Sequence, residues 1–335
     1  MVKIAIVGAG YIGKLHANIC KQIKNTSIVA VVDTIEGKAK KLAEEIGTKF
    51  YTDIDILLGD KDIDVVAVCT PTYTHSGIVK KVANAKKNIF CEKPFALSIK
   101  EADEMVEVVR RNKVKSMVGH VLRFWPEYVR AKEIVESGNL GKPLHAFCER
   151  LCVVSDWTEG NWILQENMGG GAALDLQIHD LDYLIYLFGK PSVVQSQGVY
   201  DQKLGGFTHI STNIEFEGSQ YGLVDAGWDA KGKFPFTMLF RIFCENGVIE
   251  WIFRAGVNIE ERSQQVPITI YRSSGSIDTE SVKQVDPYYL EWEYFINCLE
   301  NGKEIDNATF EDARMSLNLA LASIKSAREM KIVRI

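Results

Sequence analysis

The sequence is short of the features that would set it apart from ordinary globular proteins. No stretch approaches the roughly 18 consecutive apolar residues that a membrane span requires. Neither sign of charge dominates: 39 Lys and Arg stand against 44 Asp and Glu, a net charge of −5. That balance gives no electrostatic reason to expect nucleic acid or an anionic membrane as partner. The seven cysteines form no CxxC pair and no zinc-like spacing. Their scatter and odd number suit reduced, mostly buried thiols and a cytoplasmic setting. Cys148 and Cys152 lie four apart in an alternating stretch, so adjacent burial on one strand face is expected rather than a bridge. Internal repeats and low-complexity segments are missing. Met1–Val7 is a short apolar run broken at once by glycines, and it reads as a first strand rather than a signal peptide.

What remains is a chain of 335 residues, 46% of them hydrophobic, which is enough for a full core and about two domains. In the first third, short Val- and Ile-rich runs at Lys3–Val7, Ile28–Val32, Val65–Cys69, Asn88–Cys91 and Val114–Val118 suit strands buried on both faces. Helical stretches alternate with them. Ile78, Val79, Val82 and Ala83 share one face of the first, and Ile99, Ala102, Met105, Val106 and Val109 share one face of another. Ser98 and Glu101 make a capping box for the latter. The alternation predicts a doubly wound α/β domain with a parallel sheet.

Gly8-Ala9-Gly10-Tyr11-Ile12-Gly13 follows the first strand directly and opens a helix. The first glycine allows a tight turn, the second lets a pyrophosphate approach the backbone, and the third lets helix and strand pack closely. Unpaired N–H groups at the helix start then meet the phosphates. Asp33 ends the second strand, where a carboxylate accepts hydrogen bonds from the adenosine ribose. A carboxylate there repels a 2′-phosphate and favours NAD. Lys38 and Lys40 soften that repulsion and leave NADP open.

Further along, Thr70-Pro71 and Glu92-Lys93-Pro94 each end a strand at the edge where open α/β sheets bind ligands. His75 is placed either to cap the next helix or to touch the cofactor. A domain boundary is expected near Leu122, giving domains 1–121 and 122–335, with no linker composition to mark it. A crossover helix is expected from Pro126 to Ser137, with Gly138 at its end. The strands expected beyond it are Leu144–Val154, Val193–Tyr200, His209–Phe216, Tyr221–Trp228, Thr237–Phe243 and Ile268–Arg272. Turns at Gly205-Gly206, Gly218-Ser219 and Asn246-Gly247 make the sheet antiparallel or mixed. The last helix, with Phe310, Ala313, Leu317, Leu321 and Ile324 on one face, packs back on the body. Gly169-Gly170-Gly171 leads to Asp175 and His179, four residues apart on a helix face. The pair suits proton transfer, and it equally suits bonding within the helix; no third residue accompanies it at metal-ligand spacing. Trp228 reads as a core residue more readily than as a sugar platform.

These motifs, in this order, resemble the Gfo/Idh/MocA oxidoreductases, a family that includes inositol, glucose and other sugar dehydrogenases. The resemblance rests on the glycine fingerprint, on Cys69-Thr70-Pro71 with His75, on Glu92-Lys93-Pro94, and on the glycine triplet with Asp175 and His179. It implies a Rossmann domain followed by an α+β domain with a predominantly antiparallel, open-faced sheet. It also implies a catalytic trio of Lys93, Asp175 and His179 and a cis bond before Pro94. The expected cofactor contacts are Gly8, Gly10, Tyr11, Ile12, Gly13, Asp33, Thr34, Thr70, Pro71, His75, Glu92 and Lys93. His120 and Arg123, which follow the last Rossmann strand, and Asn161 and Trp162 are expected to meet the substrate. Many relatives carry arginine after that tryptophan where this chain has Ile163. The expected reaction moves a hydride between nicotinamide and a secondary alcohol of a sugar or polyol, in a homodimer or homotetramer formed through the open sheet face. A ketone or imine reductase, an NAD-retaining glycosidase and a non-catalytic dinucleotide sensor are the alternative readings.

Overall fold

Val65–Val68 is buried at every position, and five of the six residues of Val2–Val7 are buried. Strands this apolar need cover on both faces, which a parallel sheet flanked by helices supplies. The computed structural model, which describes residues 1–154, 159–257 and 266–335, forms that sheet. In chain order its elements are β1 (Val2–Val7), α1 (Tyr11–Cys20), β2 (Thr26–Val32), α2 (Glu36–Ile46), β3 (Lys49–Tyr51), α3 (Ile54–Leu58), β4 (Val65–Val68), α4 (His75–Asn84), β5 (Asn88–Cys91), α5 (Ile99–Asn112) and β6 (Ser116–Val118). The strands are all parallel, in the order β3-β2-β1-β4-β5-β6. The direction of winding reverses between β1 and β4, the switch point where such sheets open a ligand crevice. The Ser98 hydroxyl accepts from Glu101 N–H and caps α5, as expected.

Past the boundary come α6 (Pro126–Glu136), with proline in its first turn, β7 (Pro143–Val153) and α7 (Ile178–Phe188). The strands β8 (Pro191–Asp201), β9 (Gly206–Phe216), β10 (Tyr221–Ala230), β11 (Thr237–Cys244), β12 (Gly247–Arg254), β13 (Ile268–Arg272) and β14 (Ile277–Glu280) follow. The chain ends in α8 (Pro287–Glu300), α9 (Phe310–Glu329) and the two-residue strand β15 (Val333–Arg334). Among the described residues the second sheet has nine strands in the order β14-β13-β12-β11-β7-β10-β9-β8-β15. Only β7 and β10 pair in parallel; every other pairing is antiparallel. One sheet face is apolar and buried, carrying Ile210, Ile214, Val224, Ala226, Phe240 and Ile249, and Trp228 belongs to the core there. All seven cysteines are buried free thiols.

The chain divides into two units, Met1–Val121 with Asp286–Arg314, and Leu122–Val285 with Met315–Ile335. The segment holding α8, expected within 122–335, groups with the first unit. Trp292 of α8 stacks on Phe90 of β5 at 4.3 Å, Phe310 meets Phe95 edge-on at 4.6 Å, and Ala308 C=O accepts from Val118 N–H at 2.9 Å. Aromatic burial of this kind is a large apolar contribution, and the sheet draws it from distant sequence. Among the described residues, no helix is long and apolar enough to cross a membrane.

Candidate active site

Two of the fingerprint glycines, Gly8 and Gly13, are required by their surroundings. Gly8 has φ +102°, and a Cβ there would lie 2.5 Å from Cys69 O. A Cβ on Gly13 would lie 1.8 Å from Gly8 O, so helix and turn can touch only without it. Gly10 faces open space, and α1 begins there with no side chain capping its N–H groups. That leaves the helix start open to a pyrophosphate. Asp33 is held by Ala9 N–H at 2.8 Å on one oxygen and by Ile35 N–H at 2.8 Å on the other. Its remaining lone pairs are positioned to accept from ribose hydroxyls, beside the exposed Thr34 and the exposed Tyr11. The cradle fits a dinucleotide, and its carboxylate fits NAD.

At the carboxyl ends of β4 and β5, the buried His75 ring links two loops. Its Nε2 lies 2.8 Å from Thr70 O and its Nδ1 3.0 Å from Pro94 O. Burial lowers the pKa of this ring, and its backbone partners only partly offset that. His75 thus ties the strand ends together, a bonding pattern that neither capping nor cofactor contact had described. The Lys93–Pro94 bond is cis, and Lys93 is half-buried.

Glu92 is buried and turned inward, with one oxygen 2.6 Å from His16 Nε2 and the other accepting Lys93 N–H at 2.9 Å. Burial, the largest single influence, opposes its ionisation, but His16 and Lys93 together outweigh it and hold the carboxyl below its usual range. His16 was not foreseen. It sits one turn past Gly13 on the buried stripe of α1, where an ionisable residue among Gly13, Ala17 and Cys20 was the available signal. His120, after β6, is buried.

In the second unit the glycine triplet is equally constrained. A Cβ on Gly169 would strike the Ile163 backbone at 2.4 Å, and Gly170 and Gly171 have φ of +85° and +65°. Ile163 therefore serves as the floor under the triplet. Ala173–Gln177 then makes one turn of π-helix before α7, a feature often found at functional sites. Asp175 lies within that turn, buried, and His179 lies half-buried in the first turn of α7. Gln177 anchors the turn: its amide donates to Ile210 O at 3.0 Å and Val224 O at 3.2 Å, and Ser323 Oγ donates to its carbonyl at 3.3 Å. The acids further along α7 are neutralised from other elements. Arg150 forks onto Asp180 at 2.8 and 3.2 Å. Arg123 forks onto Asp182 at 2.8 and 2.9 Å, with its guanidinium 4.8 Å over the Tyr186 ring. Arg123, expected to meet the substrate, is buried in this pair. Trp162 is half-buried in the short turn Glu159–Leu164, and the side chain of Asn161 lies outside the described residues. Among the described residues no His, Cys, Asp and Glu cluster has the geometry of a metal site.

A parallel sheet with a complete dinucleotide cradle, joined in one chain to a helix bearing an Asp–His pair, defines a two-domain nicotinamide-nucleotide oxidoreductase. Residues 2–120 match the Gfo/Idh/MocA oxidoreductase family, NAD-binding Rossmann fold, and residues 128–250 match the Gfo/Idh/MocA C-terminal domain. The chain belongs to the Gfo/Idh/MocA family and is an NAD-dependent dehydrogenase. It is 28% identical to the myo-inositol 2-dehydrogenase of Thermotoga maritima, over 100% of this chain and 98% of that one. It is 29% identical to the scyllo-inositol 2-dehydrogenase (NAD(+)) of Bacillus subtilis, over 98% and 94%. A putative myo-inositol dehydrogenase from Sinorhizobium meliloti shares the fold with a TM-score of 0.83 at 26% identity, covering 100% of both chains.

Proposed function

We propose that this enzyme oxidises a secondary alcohol of an inositol or a closely related cyclic polyol. The carrying observation is the buried Asp175 on the π-turn with the half-buried His179 four residues on, in a chain matching inositol dehydrogenases end to end. The fingerprint residues Gly8 to Gly13, with Asp33 and Thr34, hold the dinucleotide, and Thr70, Pro71, His75, Glu92 and Lys93 form the strand ends beside it. NAD, when bound, supplies the hydride acceptor.

His179 accepts the hydroxyl proton, Asp175 orients the ring and balances the imidazolium that forms, and Lys93 positions or relays a proton to the same oxygen. The carbinol becomes a ketone, with one hydride and one proton removed. Asn161, Trp162 and His120 are the proposed substrate contacts. The open face of the second sheet carries His145 stacked between Tyr221 at 4.6 Å and Phe243 at 4.3 Å, which supports a homodimer or homotetramer through that face.

Purified protein with NAD, then NADP, should be assayed against inositols, aldoses, sugar acids and amino sugars by the near-ultraviolet absorbance of reduced nicotinamide. Turnover with one polyol and NAD is expected, and Lys93→Ala and His179→Ala should lower kcat ~10²- to 10⁴-fold. No net turnover with NAD retained through purification would replace this reading by an NAD-retaining hydrolase. Dinucleotide binding without turnover, unaltered in Lys93→Ala, would point to a sensor.

A further inference from the structure

Behind Lys93 runs a buried chain of hydrogen bonds whose direction the donors determine. The Trp292 indole, which can only donate, gives its N–H to His16 Nδ1 at 2.9 Å. His16 Nδ1 is therefore an acceptor, and the ring proton is on Nε2, which donates to Glu92 at 2.6 Å. The second oxygen of Glu92 accepts Lys93 N–H at 2.9 Å. His16 is 0%, Trp292 0% and Glu92 5% exposed, so water does not compete for these bonds.

The neighbouring Glu291, also 0% exposed, accepts no hydrogen bond from a described residue. Burial, then the charge of Glu92, pushes its acid well up, so it stays neutral while Glu92 carries the charge. Two buried carboxyls are thus driven apart by whether donors reach them. Space for the charged one is kept by Gly119, where a Cβ would lie 3.0 Å from Glu92 Oε1.

We propose that Trp292 and His16 are positioning residues for Lys93, acting through the Glu92 carboxylate. The proposal rests on the reading that Lys93 works on the substrate. The indole selects the His16 tautomer, His16 fixes Glu92, and Glu92 fixes the backbone from which the lysine projects. A misplacement of about 1 Å at a catalytic group costs on the order of 100-fold in rate, so relaxing this chain reaches kcat without touching the substrate.

The test uses the full-length enzyme with NAD and the polyol of highest kcat/KM. Trp292→Phe keeps the stack on Phe90 and removes only the donor; His16→Leu removes both functions of the ring. Both should lower kcat on the order of 10- to 100-fold, with KM changed less than about threefold. His16→Gln, whose amide offers one donor and one acceptor, should recover much of the loss, a rescue that packing alone would not give. Gly119→Ala presses on the same carboxylate from the other side and should also lower kcat, with all four network side chains intact. Independently of turnover, ¹⁵N spectra of the wild-type enzyme should show a neutral His16 protonated on Nε2. A ring protonated on Nδ1, or wild-type kcat in Trp292→Phe and His16→Leu while Lys93→Ala is inactive, overturns the positioning role and leaves the function standing. Full activity in Lys93→Ala overturns the catalytic role of Lys93 and the positioning role with it, while polyol oxidation itself stands.

Discussion

Two histidine–carboxylate pairs, one in each unit, take opposite forms. His16 is fully buried with Glu92 on Nε2 and an indole donor on Nδ1. His209, on the open face of the second sheet, has Asp225 on Nε2 at 3.0 Å and Asp229 on Nδ1 at 2.8 Å. The second partner decides the difference. A donor on Nδ1 requires a neutral ring, whereas acceptors on both nitrogens favour the imidazolium. The Asp225 bond leads in raising the His209 pKa to about 9, against a lowering by burial. Burial then sets the stakes, since a broken buried pair leaves a charge that water cannot reach.

The largest effect should come from breaking the buried pair. His16→Leu strands the Glu92 charge and the Trp292 N–H, and should cost ~3–5 kcal/mol in denaturant unfolding. Trp292→Phe removes one buried hydrogen bond while keeping the ring, and ~1–3 kcal/mol is expected by the same measurement. The exposed pair is weaker and varies with pH. The folded pKa of His209 lies above its ordinary value, so its contribution is complete below about pH 6.5 and fades as pH rises to about 9. With the His209 side chain 22% exposed and its carboxylate partners 23% and 42% exposed, screening leaves about 1 kcal/mol. Unfolding measured at pH 6, 7.5 and 9 should show that slope, and Asp225→Asn with Asp229→Asn should flatten it. Smallest of all, ~1 M NaCl should shrink the His209 slope and leave the cost of His16→Leu unchanged, because only exposed charges are well screened. Equal salt sensitivity at the two sites would erase the contrast.

The first unit was the more legible in sequence, for physical reasons. Strands buried on both faces show as apolar runs, and the fingerprint glycines carry their own steric requirement. Lys49–Tyr51 escaped notice because two of its three residues are exposed and an edge strand needs no apolar run. In the second unit, Gly247–Arg254 hid because Val248, Ile249, Trp251, Ile252 and Phe253 are apolar on both faces, which blurs a period of two. Ile277–Glu280 and Val333–Arg334 are short edges with little apolar content. The motif positions Lys93, Asp175 and His179 were readable one by one. What pattern could not supply was the pairing of distant side chains: Arg123 with Asp182, Arg150 with Asp180, and above all Trp292 with His16. Residues so far apart leave no local periodicity to read.

The return of Asp286–Arg314 to the first unit has a consequence for how the protein is made. On the ribosome, every strand of the nucleotide-binding sheet emerges long before Trp292 does. Until then His16 has no indole to fix its tautomer, and Phe90 lacks the ring that stacks on it. A nascent chain can therefore have a finished fingerprint and an unfinished wall behind Glu92, so the competence of Lys93 becomes a late event of synthesis.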